Sequence, residues 1–119
     1  MLSGPVPGEF DGAYTLDVLE HIEQRDEHRF LEDILESLTP DGVLIVGMPS
    51  FESQVYAAPL SKIGHINCKR GPELRALMLE YFDKVFMFSL NDEVVHTDYQ
   101  SMAQYLFAIC ADKWKTSDL

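Results

Sequence analysis

Residues 43–48, Val-Leu-Ile-Val-Gly-Met, constrain the fold of this chain more than any other feature. They are apolar at consecutive positions, so a strand built from them would bury both of its faces. Strands of this kind belong to parallel sheets that helices cover on both sides. Turn-forming residues at 39–42, Thr-Pro-Asp-Gly, mark where the strand begins. We therefore expect an α/β fold around a buried parallel sheet.

The patterns on either side of this strand supply its neighbours. Residues 10–16 form a short strand, and residues 26–38 and 72–81 carry apolar side chains at helical spacing. Two strand-like runs follow, at residues 85–90 and 102–110, with a polar segment between them. The order strand, helix, strand, helix, strand, strand predicts a parallel pair that is closed by a terminal antiparallel hairpin.

Length and composition indicate one domain. The chain has 119 residues, of which 46% are hydrophobic, enough for a single core. Gly and Pro dominate the first residues, so we expect a flexible lead-in over residues 1–9. The folded part is expected over residues 10–111, followed by a polar tail at residues 112–119.

Charge and cysteine content exclude several classes of function. The 20 acidic and 9 basic residues give a formal net charge of -11, which disfavours nucleic acids and anionic membranes as partners. The apolar runs are shorter than the roughly 20 residues that a membrane helix needs. Cys68 and Cys110 lack metal-site spacing, and no basic-then-apolar leader begins the chain, so a cytoplasmic location is expected.

Two motifs resemble those of class I S-adenosylmethionine-dependent methyltransferases. They are FDGAYTLDVLEHI at residues 10–22 and LTPDGVLIV at residues 38–46, where Asp41 replaces a glycine usual in that family. The resemblance implies a partial Rossmann-like methyltransferase sheet, comprising the fourth to seventh strands with the terminal antiparallel hairpin. The N-terminal half, including the glycine-rich cofactor loop and the ribose-binding acid, would lie upstream of Phe10 and is missing from this chain.

The resemblance also implies a cofactor site at the end of the first predicted strand. Thr15, Leu16 and Asp17 would form the floor beneath the methionine part of S-adenosylmethionine. The alternative is that these are ordinary residues at a strand end.

His21, Glu20 and His65 are the candidate catalytic residues, with a histidine acting as the base that takes a proton from the acceptor. Asp17, Glu20 and His21 have the spacing of one helix face and could bind a divalent metal together with His65. This set resembles the E-x-x-E-H metal motif of ubiquinone-pathway O-methyltransferases and small-RNA terminal methyltransferases, with Asp17 at the position of a Glu. Alternatively, Glu20 and His21 are only a polar pair at a helix start.

The stretch after the strand at 43–48 is long for a connection between elements, which favours a functional loop. Its polar side chains Gln54, Tyr56, His65 and Asn67 are candidates for a lid over the acceptor, expected to be a small molecule. His96, in the hairpin connection, could face the same end. Alternatively, the loop packs its aromatic side chains on its own helix.

The segment of residues 10–16 contains no Pro or Lys that would protect a free strand edge. We therefore expect a homodimer through this edge, or a second polypeptide that supplies the missing half.

Two functions from different classes remain open. The first is a methyltransferase in truncated form, and the second is an inactive methyltransferase remnant that serves as a dimerisation or assembly module.

Overall fold

The computed structural model describes residues 8–51, 64, 66–90 and 105–114. The strands are β1 (Phe10–Leu16), β2 (Leu38–Pro49), β3 (Phe82–Leu90) and β4 (Tyr105–Lys113), and the helices are α1 (Glu27–Glu36) and α2 (Gly71–Leu79). Two short 3-10 turns, Leu19–His21 and Gln24–Asp26, connect β1 to α1. The predicted α/β class is confirmed for this part of the chain.

The four described strands form one mixed sheet in the order β1-β2-β4-β3. β1 is parallel to β2, and β4 is antiparallel to both of its neighbours. The register places Tyr14 opposite Ile45, Ile45 opposite Ile109, and Ile109 opposite Phe86. Both the parallel pair and the terminal antiparallel pair are therefore present, with β4 inserted between β2 and β3.

Both described helices pack on the same face of the sheet. Leu44, Val46 and Met48 of β2 are fully buried there, in one cluster with Leu31 of α1 and Met78 of α2. Side chains alternate across a strand, so the intervening residues of β2 point to the other face. Residues 43 and 45 are only partly buried. We expected helices on both faces of the sheet. The described helices cover one of the two faces.

We call the sheet face opposite α1 and α2 the open face. Its most exposed apolar side chains are Tyr14 and Leu16 on β1 and Phe86 and Phe88 on β3, which lie at the two sides of the sheet. The middle of the face is formed by β2 and β4, whose side chains are shielded by these neighbours. The exposed apolar side chains of the open face therefore lie mainly at the two sides of the sheet.

The end of β4 fastens both helices to the sheet. The Lys113 ammonium donates hydrogen bonds to the carbonyl oxygens of Leu35, at 2.7 Å, and Leu38, at 2.5 Å. The first bond reaches a carbonyl in the last turn of α1, where acceptors lack helical partners, and the second reaches the first residue of β2. The Trp114 indole donates to the Leu79 carbonyl at the end of α2, at 3.1 Å. At the start of α2, the Glu73 carboxylate accepts a hydrogen bond from the backbone N–H of Arg70, as in a capping box.

Several predicted boundaries differ from the structure. The expected turn at residues 39–42 lies inside β2, where the register with β1 shifts between Phe10 and Gly12. Gly42 is required there, since a Cβ would approach the Leu38 side chain to 2.5 Å. Most of the long stretch after β2, the predicted hairpin connection and most of the expected lead-in and tail lie outside the described residues. No helix in the described ranges is long and apolar enough to cross a membrane.

Candidate active site

The candidate site lies at the carboxyl ends of the parallel strands β1 and β2. Open α/β sheets bind ligands at this edge because loops and helix starts converge there. The turn Leu19–His21 follows β1, and Ser50 and Phe51 follow β2. A parallel bridge between Ser50 and Lys69 attaches the segment that leads into α2. Three parts of the chain that are distant in sequence therefore meet at one edge.

Asp17, directly after β1, adopts the left-handed conformation with φ of 59°. Its backbone N–H still donates to the Gly47 carbonyl oxygen, at 3.0 Å, so the strand is extended by one bond. Its carboxylate accepts a hydrogen bond from the Tyr105 hydroxyl at 2.8 Å. Burial and the hydrogen bond to Asp17 both raise the pKa of Tyr105, so the phenol stays protonated and continues to donate.

Glu20 and His21 lie on a 3-10 turn, not on the α-helical face that the motif suggests. The Glu20 side chain is 1% exposed and the His21 side chain 44% exposed. His21 Nδ1 lies 2.6 Å from the Gly64 carbonyl oxygen, which can only accept, so Nδ1 carries the proton. Nε2 then faces Glu20, with 3.8 Å between Nε2 and Oε2. The histidine is held in the tautomer that presents a basic nitrogen beside a carboxylate.

A buried polar cluster, which we call the Glu27 cluster, fixes the segment opposite this turn. Its members are Glu27, Asn67 and Lys69. Glu27 Oε1 accepts from the Asn67 amide at 2.8 Å and pairs with Lys69 Nζ at 3.0 Å. The backbone N–H of Asn67 donates to the Glu20 carbonyl, at 2.9 Å. One carboxylate at the start of α1 therefore holds the 67–69 segment against the turn Leu19–His21.

Cys68 lies within this segment but is not a nucleophile. Burial, together with the negative charge of Glu20, raises the pKa of the Cys68 thiol to about 11. Burial raises the pKa of Cys110 to about 12. Both thiols are neutral at physiological pH, and a neutral thiol is a poor nucleophile.

The predicted cofactor residues point in different directions. Thr15 is 6% exposed on the helix-covered face, and its hydroxyl has no hydrogen-bond partner among the described residues. Leu16 is 42% exposed and lies on the open face. Asp17 is directed towards Tyr105. These three residues therefore do not form one lining, and only Leu16 and Asp17 present side chains outside the helix-covered layer.

The predicted metal ligands are only partly brought together. Within the described ranges, no group of three or more His, Cys, Asp or Glu side chains is placed to hold a metal ion. The Asp17 carboxylate accepts a hydrogen bond from Tyr105. The side chains of Glu20 and His21 lie next to each other. His65 lies outside the described residues, although its neighbour Gly64 contacts the His21 ring.

Most of the residues predicted to form the acceptor lid are not among those that the structure describes. Gln54, Tyr56 and His96 lie outside the described residues. Asn67 is described, but it is 8% exposed and bonded to Glu27, so it supports the site from below and does not line a lid.

Sequence reasoning missed Tyr105, Glu27 and Lys69. Their partners are 88, 40 and 42 residues away in the chain, respectively, at Asp17, Asn67 and Glu27. No local pattern signals such pairs.

This arrangement of sheet and helices is similar to that of solved methyltransferase domains. The solved methyltransferase domain of bacterial CtHen1-C superimposes with a TM-score of 0.63 at 17% identity, covering 86% of this chain and 52% of that one. A second solved structure, the methyltransferase domain of bacterial CtHen1-CN, gives a TM-score of 0.62 at 18% identity, with 87% and 53% covered. The chain thus spans about half the length of these domains. No protein-family model and no curated protein sequence matches it.

Proposed function

We propose that this chain forms the C-terminal half of a class I S-adenosylmethionine-dependent methyltransferase domain. The observation that carries the proposal is the sheet order β1-β2-β4-β3, with antiparallel β4 between β2 and β3, in a fold similar to solved methyltransferase domains. In this reading β1, β2, β3 and β4 are the fourth, fifth, sixth and seventh strands of the family. The motifs at residues 10–22 and 38–46 support the same numbering.

The chemistry assigned to this half is proton removal from the methyl acceptor. The acceptor hydroxyl or amine would attack the methyl carbon that S-adenosylmethionine supplies, in line with the C–S bond that breaks, and S-adenosylhomocysteine would leave. His21 is suited to take the acceptor proton, since its Nδ1–H is occupied by the Gly64 carbonyl and Nε2 carries the lone pair. Glu20 is 1% exposed and 3.8 Å from Nε2, so its negative charge stabilises the imidazolium that forms.

The same pair fits a divalent metal as an alternative arrangement. Ligating histidines typically donate their second ring N–H to a carbonyl oxygen, as His21 does to Gly64. Glu20 and His21 would hold the ion together with His65, and the ion would polarise an acceptor oxygen. Asp17 fits this role less well, because its carboxylate accepts the Tyr105 hydroxyl.

The acceptor we propose is a small molecule. The formal charge of -11 opposes the approach of a phosphate backbone, and no basic patch interrupts it in the sequence. The half-exposed His21 leaves room for a small acceptor at the strand ends.

Calorimetric titration with S-adenosylmethionine tests the proposal. We expect weak or undetectable binding by this chain alone, because the residues before Phe10 contain no glycine-rich loop that follows a strand. Fusing the unmatched half of the CtHen1-C domain ahead of residue 8 should restore binding. A low-micromolar Kd for the chain alone would contradict this assignment of the cofactor site to the other half.

An assembly module without methyltransferase activity is the second candidate. The half-length coverage of the solved domains and the apolar open face favour it. A fusion protein in which both halves fold and dock, but which binds no S-adenosylmethionine, would select this candidate.

A further inference from the structure

The open face is the largest unexplained feature of the described part of the chain. Tyr14 is 76% exposed, Phe86 55%, Leu16 42% and Phe88 39%. With about 200 Å² for a large side chain, these residues alone expose on the order of 400 Å² of mostly apolar surface. This matches the largest patch found on typical monomers, which is often functional.

The rest of the face is equally apolar. The residues that share its side of the strands are Gly12, Val43, Ile45, Gly47, Pro49, Lys84, Leu90, Tyr105, Phe107, Ile109 and Ala111, in addition to the four above. Lys84, at one corner, is the one charged residue among them, and it is paired with Asp112 and Asp83. Although the chain carries a net charge of -11, this face is essentially neutral.

A strand edge adjoins the open face. β1 pairs with β2 on one side and with no described strand on the other. The Asp17 N–H points towards β2, where it bonds to Gly47. Because backbone direction alternates along a strand, the N–H groups of Leu16 and Tyr14 point to the outer side. The same two residues therefore offer side chains to the open face and backbone donors to the edge.

One occupant must satisfy both surfaces, which argues against a second copy of this chain. Two copies paired along β1 would continue the sheet, but a sheet cannot cover its own face, so Phe86 and Phe88 would stay exposed. Two copies stacked face to face would cover those side chains and leave the β1 edge unpaired. A segment that contributes both a strand and a helix can cover edge and face together.

We propose that the open face and the outer edge of β1 form one docking surface for an α/β polypeptide segment, which adds a strand beside β1 and packs helices over Tyr14, Leu16, Phe86 and Phe88. This proposal rests on the proposed function, since the segment is then the other half of the methyltransferase domain. The solved domains support it, because about half of their length has no counterpart in this chain. An interface of about 800 Å² per partner is the usual size for a stable contact.

The chain alone provides the first arm of the test. We expect it to bind the apolar dye 1-anilinonaphthalene-8-sulfonate, and Phe86→Ser should reduce dye fluorescence at least twofold. Phe51→Ser is the matched control, because Phe51 is 46% exposed but contacts Arg70 and lies off the open face. A chain that binds no dye overturns the proposal. So does a stable dimer in sedimentation analysis that Phe86→Ser dissociates, since a second copy would then be the occupant.

The fusion with the unmatched half of the CtHen1-C domain provides the second arm. Backbone hydrogen exchange at Tyr14 and Leu16 should slow at least tenfold, and dye binding should disappear. Unchanged exchange and dye binding in a fusion whose two halves are both folded by circular dichroism would overturn the docking proposal. Docking without S-adenosylmethionine binding would instead remove the proposed function and leave the docking surface standing.

Discussion

Replacing Glu27 by Ala should destabilise the chain more than any exposed charge substitution. Its side chain is 7% exposed and that of Lys69 9% exposed, so the pair lies almost entirely out of water. Removing the carboxylate takes the acceptor from both Lys69 Nζ and the Asn67 amide. Breaking a buried pair from one side costs about 3–5 kcal/mol. The Asn67 carbonyl, 3.4 Å from Lys69 Nζ, offsets part of this, so we expect about 3 kcal/mol.

Urea unfolding followed by tryptophan fluorescence measures this loss. Trp114 is the single tryptophan and donates to the Leu79 carbonyl, so its emission reports whether β4 and α2 remain docked. Adding Lys69→Met to the Glu27→Ala variant should recover most of the stability, since no buried charge then remains unpaired. Glu23→Ala is the control. Its carboxylate pairs with Arg25 at 2.8 Å but is 53% exposed, so its removal should cost less than about 0.5 kcal/mol.

A loss of less than about 1 kcal/mol in the free energy of unfolding for Glu27→Ala would refute this reasoning, because a solvent-exposed ion pair contributes about that much. A double variant no more stable than Glu27→Ala would refute it as well. Either result would mean that the Glu27 cluster does not hold the 67–69 segment against the turn Leu19–His21.

Two further predictions concern the site and its pH dependence. If Glu20, His21 and His65 bind a divalent metal, then magnesium, manganese or zinc should raise the melting temperature, and removal by a chelator should reverse the rise. The combined variant His21→Ala, His65→Ala should abolish this response, and an unchanged response would eliminate the metal arrangement. Stability should fall at alkaline pH, because the pKa of Cys110 is raised from 9.0 to about 12 and that of Tyr105 is also raised. The unfolded chain then ionises first, so stability is complete below pH 9 and is lost as the pH rises towards 12. A flat urea midpoint between pH 8 and 11 would contradict this.

Local sequence patterns identified most of the elements. Strand β1 begins and ends where alternation and flanking residues predict, and α1 lies within the predicted residues 26–38. The position of β4 between β2 and β3 could not be predicted from periodicity, which cannot order strands within a sheet. The extension of β2 back to Leu38 was missed because Pro40, Asp41 and Gly42 indicate a turn wherever they occur together.

The geometry of the site was harder to predict from the sequence than the fold. Spacing placed Asp17, Glu20 and His21 on one helix face, but the left-handed conformation of Asp17 and the 3-10 turn that follows break that periodicity. A three-residue turn gives no repeating pattern from which its type could be inferred. The tautomer of His21 depends on Gly64, 43 residues away, which only the folded chain brings within hydrogen-bonding distance.

The insertion of β4 between β2 and β3 has a consequence for biosynthesis. β3 pairs with β4 and with no other described strand, although β4 follows it in the sequence. While the chain is being made, β1, α1 and β2 can assemble as a parallel unit, but β3 has no strand to join until residues 105–113 have left the ribosome. Throughout that interval the backbone donors and acceptors of β3 lack their strand partner, a condition under which nascent chains aggregate or require chaperones. A premature stop before Tyr105 would therefore remove the joining strand and release β3 from the sheet, not merely shorten its edge.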